Sequence, residues 1–128
     1  MTIAGFGLAR EVLRYAVKEL ETAVKLGDIY RNAADKVFLA LVIAVNAYIA
    51  AVEGVEPTSH AERRKILRKM GREDLRALYS DLMKTREEAF CQGIYQPDEV
   101  QYAVKKVEEV IAQLEEKVGR RRGSPVPQ

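Results

Sequence analysis

A run of sixteen residues without a charged side chain, Val37 to Val52, constrains this chain more than any other feature. Asn46 is its one strongly polar member, and Lys36 and Glu53 bound it. A helix that is apolar on all sides must be surrounded by protein or by lipid. Spanning a membrane takes about 20 apolar residues, more than this run supplies. We therefore expect it to be the central helix of a soluble bundle, without membrane contact.

The composition is that of one globular domain. The chain has 128 residues, of which 48% are hydrophobic and 31% are charged. One cysteine, Cys91, and one histidine, His60, are too few for a structural zinc site. We expect no metal and no cofactor. The lone cysteine and the absence of a secretion signal at the N-terminus predict a cytoplasmic protein.

Helical periodicity predicts an all-α protein without strands. Four long helices joined by short connections favour an up-and-down antiparallel bundle, to which one short helix is added. We expect residues 1–119 to form one domain and residues 120–128, rich in Gly, Pro and Arg, to form a flexible basic tail. The predicted helices are a first one that includes Leu8 to Val24 and stops at Gly27, a second capped by Asp28 that runs to Gly54, a short third from Ser59 to Gly71 with a Ser59/Glu62 capping box, a fourth from about Arg72 to Phe90, and a fifth from Pro97 to Val118.

Arg86 breaks the pattern of the fourth predicted helix. It falls near the middle of an apolar sector, and the other charges of this helix fall outside that sector. A guanidinium there needs a carboxylate, a phosphate or carbonyl groups to receive its donors. One interpretation is structural: an ion pair, for which Asp35 is a candidate, or an arginine whose stem covers apolar surface. The other is a ligand site. The apolar sector contains Leu75, Leu78, Tyr79, Leu82, Met83, Ala89 and Phe90.

Three stretches of the chain resemble the HEPN superfamily of small helical-bundle proteins, in particular its archaeal paralogous-repeat branch. They are the apolar second helix RNAADKVFLALVIAVNAYIAAVEG, the segment PTSHAERRKIL that follows, and REEAFCQGIYQPDEV, which leads into the last helix. Together they cover the middle and C-terminal two thirds of the chain.

The resemblance implies a role for Arg86. In catalytic HEPN proteins, an arginine and a histidine four to six residues later form a metal-independent ribonuclease site between two subunits. Arg86 matches the arginine, but no histidine follows it, and Cys91 and Tyr95 are the nearest substitutes. A thiol with a pKa near 8.5 is a poor replacement for an imidazole near 6.5 at neutral pH. This departure favours a protein that is not an enzyme.

Six basic residues within ten positions form a second candidate site for nucleic acid. With Arg120 to Arg122 they would offer a surface to RNA phosphates. The alternative is a solvated face that complements the acidic segment 73–119, which holds 11 acidic and 6 basic residues. The six are Arg63, Arg64, Lys65, Arg68, Lys69 and Arg72.

Two isolated polar residues carry separate expectations. Asn46, an amide within an apolar helix, must find hydrogen-bond partners, and such residues often fix helix register or subunit pairing. His60 follows the predicted cap of the third helix, and we expect it to face solvent or to bond to the backbone.

These observations lead to three functional hypotheses. The first is a non-catalytic HEPN-like module that binds a nucleotide, an RNA or a partner protein around Arg86. The second is a toxin-like HEPN ribonuclease that uses Arg86 with Cys91, Tyr95 or His60, and the third is an interaction protein without a small-molecule site.

We expect a homodimer, because so apolar a helix in so small a domain suggests a partner surface. The resemblance also implies a nucleotidyltransferase-like partner protein.

Overall fold

Five α-helices make up the fold. The computed structural model describes residues 2–23, 27–88 and 97–123, and no strand occurs within these ranges. The chain is an all-α helical bundle of four long helices and one short one, as the sequence predicts. The helices are α1 (Thr2–Ala23), α2 (Gly27–Glu53), α3 (His60–Lys69), α4 (Glu73–Glu87) and α5 (Pro97–Gly123).

The start and the end of α3 follow the sequence signals. The Ser59 hydroxyl accepts a hydrogen bond from the backbone N–H of Glu62 at 3.0 Å, so Ser59 is the N-cap. The Glu62 carboxylate accepts from the backbone N–H of Thr58 at 2.8 Å, one residue before the cap. Gly71 follows α3 with φ of +76°, and Gly54 follows α2 with φ of +71°. Both positions need the left-handed backbone conformation that glycine adopts without strain.

Two predicted boundaries were wrong, those at the start of α2 and at the end of α5. Helix α2 begins at Gly27, so Asp28 lies inside the helix rather than capping it. Helix α4 reaches Glu87, and its predicted end at Phe90 lies outside the described residues. Helix α5 continues past Val118 to Gly123, so the start of the predicted flexible tail, residues 120–123, is helical. The rest of that segment, residues 124–128, lies outside the described residues.

Helix α2 is the centre of the bundle, because it packs against each of the other four helices. It runs antiparallel to α4. Near the start of α2, Asp35 pairs with Arg86 at the end of α4, and near the end of α2, Tyr48 accepts a hydrogen bond from Arg72 just before α4. The core lies around this axis and extends into α1 and α5. Its largest fully buried side chains are Tyr79, Phe6, Leu41, Ile49, Leu67, Leu75, Ile111 and Leu114.

One side of α2 is not fully covered by the described residues. Leu39 is 43% exposed, and Leu8 and Tyr15 on α1 are more than half exposed. By length and composition alone, residues 32–53 would suffice to cross a membrane, although half of this stretch is buried among the other helices. The homodimer expected from the sequence stays a prediction.

Helices α1 and α2 run antiparallel and approach each other closely. Lys36 pairs with Glu19 at 2.6 Å, and at the other end of the pair Gly5 lies against Ala47. A Cβ atom added at Gly5 would come within 2.9 Å of the Ala47 Cβ, closer than real Cβ atoms come. The absence of a side chain at Gly5 therefore sets the spacing of the two helices.

We predict opposite effects of alanine at Gly5 and Gly7. Gly7→Ala should raise the free energy of unfolding by up to about 1 kcal/mol, because it improves helix propensity and its Cβ meets nothing within 4 Å. Gly5→Ala should lower it, because α1 must move away from α2. Urea denaturation followed by circular dichroism measures both. Equal stability of the two variants would contradict the close helix approach.

Candidate functional site

The arginine that folding buries is Arg63 on α3, not Arg86. Its side chain is 9% exposed and lies against α2. The Arg63 Nε donates a hydrogen bond to Asn46 Oδ1 at 2.7 Å. This contact confirms that the amide in the apolar helix finds a partner. Because Asn46 lies within α2, the bond also fixes how α3 is placed along the central helix.

The other contacts of Arg63 are with neutral groups as well. Its Nη1 donates to the Tyr79 hydroxyl at 3.2 Å and lies 3.3 Å from His60 Nδ1. No carboxylate of the described residues lies within 4.0 Å of its guanidinium. Its positive charge is therefore solvated by dipoles but not neutralised.

His60 is a partly buried member of this cluster, and its Nδ1 bonds to a side chain rather than to the backbone, which was one of the alternatives expected from the sequence. Its Nδ1 lies 2.6 Å from the hydroxyl of Tyr79, which is 0% exposed. The imidazole centroid lies 5.4 Å from that of Phe38 on α2 and 5.7 Å from that of Tyr79 on α4. Position 60 begins α3, so the cap at Ser59 sets where this ring enters the bundle.

The surroundings of His60 disfavour its protonation. Burial lowers the pKa of the imidazole below its ordinary value of 6.5, and the positive charges of Arg63, Arg86 and Arg64 lower this pKa further. Burial raises the pKa of the Tyr79 hydroxyl, so Tyr79 keeps its proton at neutral pH. At pH 7 the pair is a neutral imidazole and a neutral phenol.

Arg86 lies at the edge of the same cluster. Its Nε donates to Asp35 Oδ1 at 2.7 Å, which confirms the ion pair considered from the sequence. The two side chains are 43% and 40% exposed, so Arg86 is only half turned into the protein. Its guanidinium carbon also lies 5.7 Å from the centroid of Phe38, whose ring contacts His60 too. Arg86 and His60 therefore share one aromatic neighbour.

The structure divides the six basic residues of the 63–72 segment among three environments. Arg63 is buried, and Arg64 is half-buried, with Nη1 3.1 Å from Met83 Sδ. Arg72, also half-buried, bonds to both carboxylate oxygens of Asp74 and to the Tyr48 hydroxyl. The remaining three, Lys65, Arg68 and Lys69, are exposed. The six do not form one surface, because a helical turn sends some of them inward.

Cys91 and Tyr95, the other candidates, lie outside the described residues. The described residues contain no group of three or more His, Cys, Asp or Glu side chains that could hold a metal ion. The charges around His60 are predominantly positive. Three guanidinium groups, those of Arg63, Arg64 and Arg86, act on one imidazole.

The sequence predicted Arg63 on a surface for nucleic acid and Tyr79 in an apolar sector, but it did not predict that the two side chains meet. The sequence does contain a pattern that indicates the inward position of Arg63. Helical spacing places this residue on the same face of α3 as His60 and Leu67, and the apolar Leu67 indicates that the face is turned towards the core. Asn46 needed a donor, and an arginine on that inner face supplies one.

No family model matches this chain, and neither does any curated protein sequence. The case for a function therefore rests on the geometry and charge of the cluster.

We predict that His60 makes the stability of this protein depend on pH. Because the folded pKa lies below the unfolded value, the unfolded chain binds more protons below about pH 6.5. The free energy of unfolding should therefore fall as pH decreases from about 7 to 5.5. His60 is the one histidine of the chain, so His60→Gln should flatten this part of the profile. Urea denaturation at several pH values measures the free energy of unfolding. If this free energy depends on pH equally in the wild type and in His60→Gln, the pKa shift is contradicted.

Proposed function

We propose that this chain is a non-catalytic, HEPN-like module that binds RNA phosphates at the cluster of Arg63, Arg64, Arg86 and His60. The observation that carries the proposal is the Arg63 guanidinium, nine-tenths buried and without a carboxylate partner among the described residues. Burial of a charge without a counter-charge is costly. An anionic ligand would supply the missing counter-charge.

Arg63 retains a donor for such a ligand. Its Nη2 makes no hydrogen bond with the described residues. No buried side-chain nitrogen or oxygen among these residues lacks a hydrogen-bond partner, so Nη2 must be accessible to solvent. A phosphate oxygen that reached Nη2 would form a charge-assisted hydrogen bond with a rigidly held guanidinium.

The charge balance around His60 favours an anion. The positive side chains of Arg63, Arg64 and Arg86 all act on the imidazole, and Asp35 neutralises one of them. A groove of about 300 Å³ adjoins the cluster and is lined by two basic side chains, Arg64 and Lys84, and by two acidic ones, Glu87 and Glu88. The charges of this groove balance, so the excess positive charge lies around the imidazole.

A polyanion fits the surroundings better than a single nucleotide does. Lys65, Arg68 and Lys69 are exposed on the outer face of α3, beside the cluster on its inner face. Positive charge therefore continues along the helix beyond the reach of one phosphate. RNA offers successive phosphates to such a surface, and its affinity should depend strongly on salt concentration. The resemblance to HEPN proteins and the expected cytoplasmic location agree with an RNA ligand.

Asn46→Asp tests the site with an almost unchanged shape. A carboxylate in place of the amide oxygen would neutralise Arg63 over the same 2.7 Å contact. We expect the affinity for a labelled single-stranded RNA to fall about fivefold and its salt slope to become shallower by about 0.7. Fluorescence anisotropy at about 50 and 200 mM salt measures both.

Two further variants show whether RNA binding depends on the cluster rather than on the overall charge of the protein. Arg64→Gln removes one charge from the cluster and should weaken binding, whereas Arg14→Gln removes one from α1, where the side chain is 65% exposed and paired with Glu11. Equal losses in both variants would mean general electrostatic attraction. Wild-type affinity in folded Asn46→Asp would also contradict the proposal.

The second candidate function is the metal-independent ribonuclease, and one observation favours it. The fold places His60 within electrostatic reach of Arg86, although the two residues are far apart in sequence. The binding module predicts that RNA stays intact during incubation with the protein in excess chelator. Cleavage by the wild type that is lost in both Arg86→Ala and His60→Gln would establish the nuclease instead.

A further inference from the structure

The hydrogen bonds around His60 determine which of its two ring nitrogens carries the proton. The Tyr79 oxygen lies 2.6 Å from Nδ1, and Arg63 Nη1 lies 3.3 Å from it. A guanidinium has donors and no acceptor. Beside this donor-only group, Nδ1 is best satisfied as an acceptor, and the Tyr79 hydroxyl, which accepts from Arg63 Nη1 at 3.2 Å, has its own proton to donate to Nδ1. With Nδ1 as the acceptor, the proton of the neutral imidazole is on Nε2.

The protonated nitrogen faces away from these partners. Nε2 lies across the ring from Nδ1 and makes no hydrogen bond with the described residues. Since no buried side-chain nitrogen or oxygen among those residues is left without a partner, Nε2 is accessible to solvent. His60 thus presents one N–H donor outward, held in place by the rings of Phe38 and Tyr79.

We propose that His60 binds the RNA phosphate directly through Nε2–H, as a neutral donor, and that Tyr79 and Arg63 are positioning residues that hold this tautomer. This role of His60 rests on the proposed RNA site and specifies which atom of the imidazole contacts the phosphate. Around the imidazole, Arg63 and Arg64 come from α3 and Tyr79 and Arg86 from α4, and Asp35 of α2 pairs with Arg86. A neutral donor suits this site because a fourth positive charge would be opposed by the three guanidinium groups.

The tautomer can be measured without any ligand. With one histidine in the chain, a long-range ¹H–¹⁵N spectrum of the full-length protein contains a single set of imidazole signals. We expect an unprotonated Nδ1 and a protonated Nε2 in the wild type. Tyr79→Phe removes the hydroxyl but keeps the ring against Phe38, and it should shift the signals towards a mixture of both tautomers. A wild-type spectrum with the proton on Nδ1 would overturn the inference without need of a variant.

Tyr48→Phe is the matched control. Tyr48 is buried like Tyr79, but its hydroxyl accepts from Arg72 at the other end of the α2–α4 contact. This variant should leave the imidazole signals unchanged. If Tyr79→Phe folds and leaves them unchanged as well, Tyr79 does not position His60.

Titration with a single-stranded RNA oligonucleotide then tests the contact. We expect the Nε2 signal to move on binding, and the affinity to fall about fivefold in Tyr79→Phe and to stay unchanged in Tyr48→Phe. RNA binding that leaves the His60 signals in place would overturn this inference and leave the proposed function standing. A complete lack of RNA binding would overturn the proposed function, while the tautomer in the free protein would still report on the roles of Tyr79 and Arg63.

Discussion

The uncharged part of α2, from Val37 to Val52, is the constraint on which the rest of the structure depends. The other four helices pack against α2, and about half of the side chains between residues 32 and 53 are buried. The same constraint creates the polar cluster. Asn46 is an amide inside this apolar helix, and leaving it unpaired would cost about 1–3 kcal/mol. Arg63 satisfies it, and in doing so brings a positive charge into the contact between α2 and α3. The candidate site is thus a consequence of how the core is closed.

Arg63 and Arg86 both contact α2, but through different interactions. Arg86 has a carboxylate partner, and because both side chains are about two fifths exposed, their pair contributes little to stability, of the order of 0–1 kcal/mol. Arg63 is buried among an amide, a phenol and an imidazole, none of which carries charge at neutral pH. Truncating Arg63 would leave Asn46 and Tyr79 each short of a partner. With Arg63 in place, its positive charge has no counter-charge among the described residues and is available to an anion.

The sequence predicted what local rules decide. The apolar run gave the central helix, Ser59 and Glu62 gave the start of α3, and Gly54 and Gly71 gave two helix ends. The sequence did not predict contacts between residues that are far apart in the chain. Helical periodicity shows which residues share the inner face of α3, but it does not show that Arg63 on this face contacts Asn46 on α2. The predicted α5 also ended too early. Arginine is a good helix former and one glycine costs about 1 kcal/mol, so Gly119 and the three arginines after it continue the helix.

His60 and Arg86 lie far apart in the sequence but close together in the fold. No histidine follows Arg86 in the sequence, yet the fold brings an imidazole from α3 to the ring that Arg86 also contacts. Its hydrogen bonds argue for binding rather than cleavage. A general base needs an available lone pair, but in the proposed tautomer Nδ1 accepts a hydrogen bond from the Tyr79 hydroxyl and Nε2 carries the proton. A neutral imidazole is also a weak acid, and three guanidinium groups oppose its protonation. In that tautomer His60 can donate a hydrogen bond to an anion and is poorly arranged to transfer a proton.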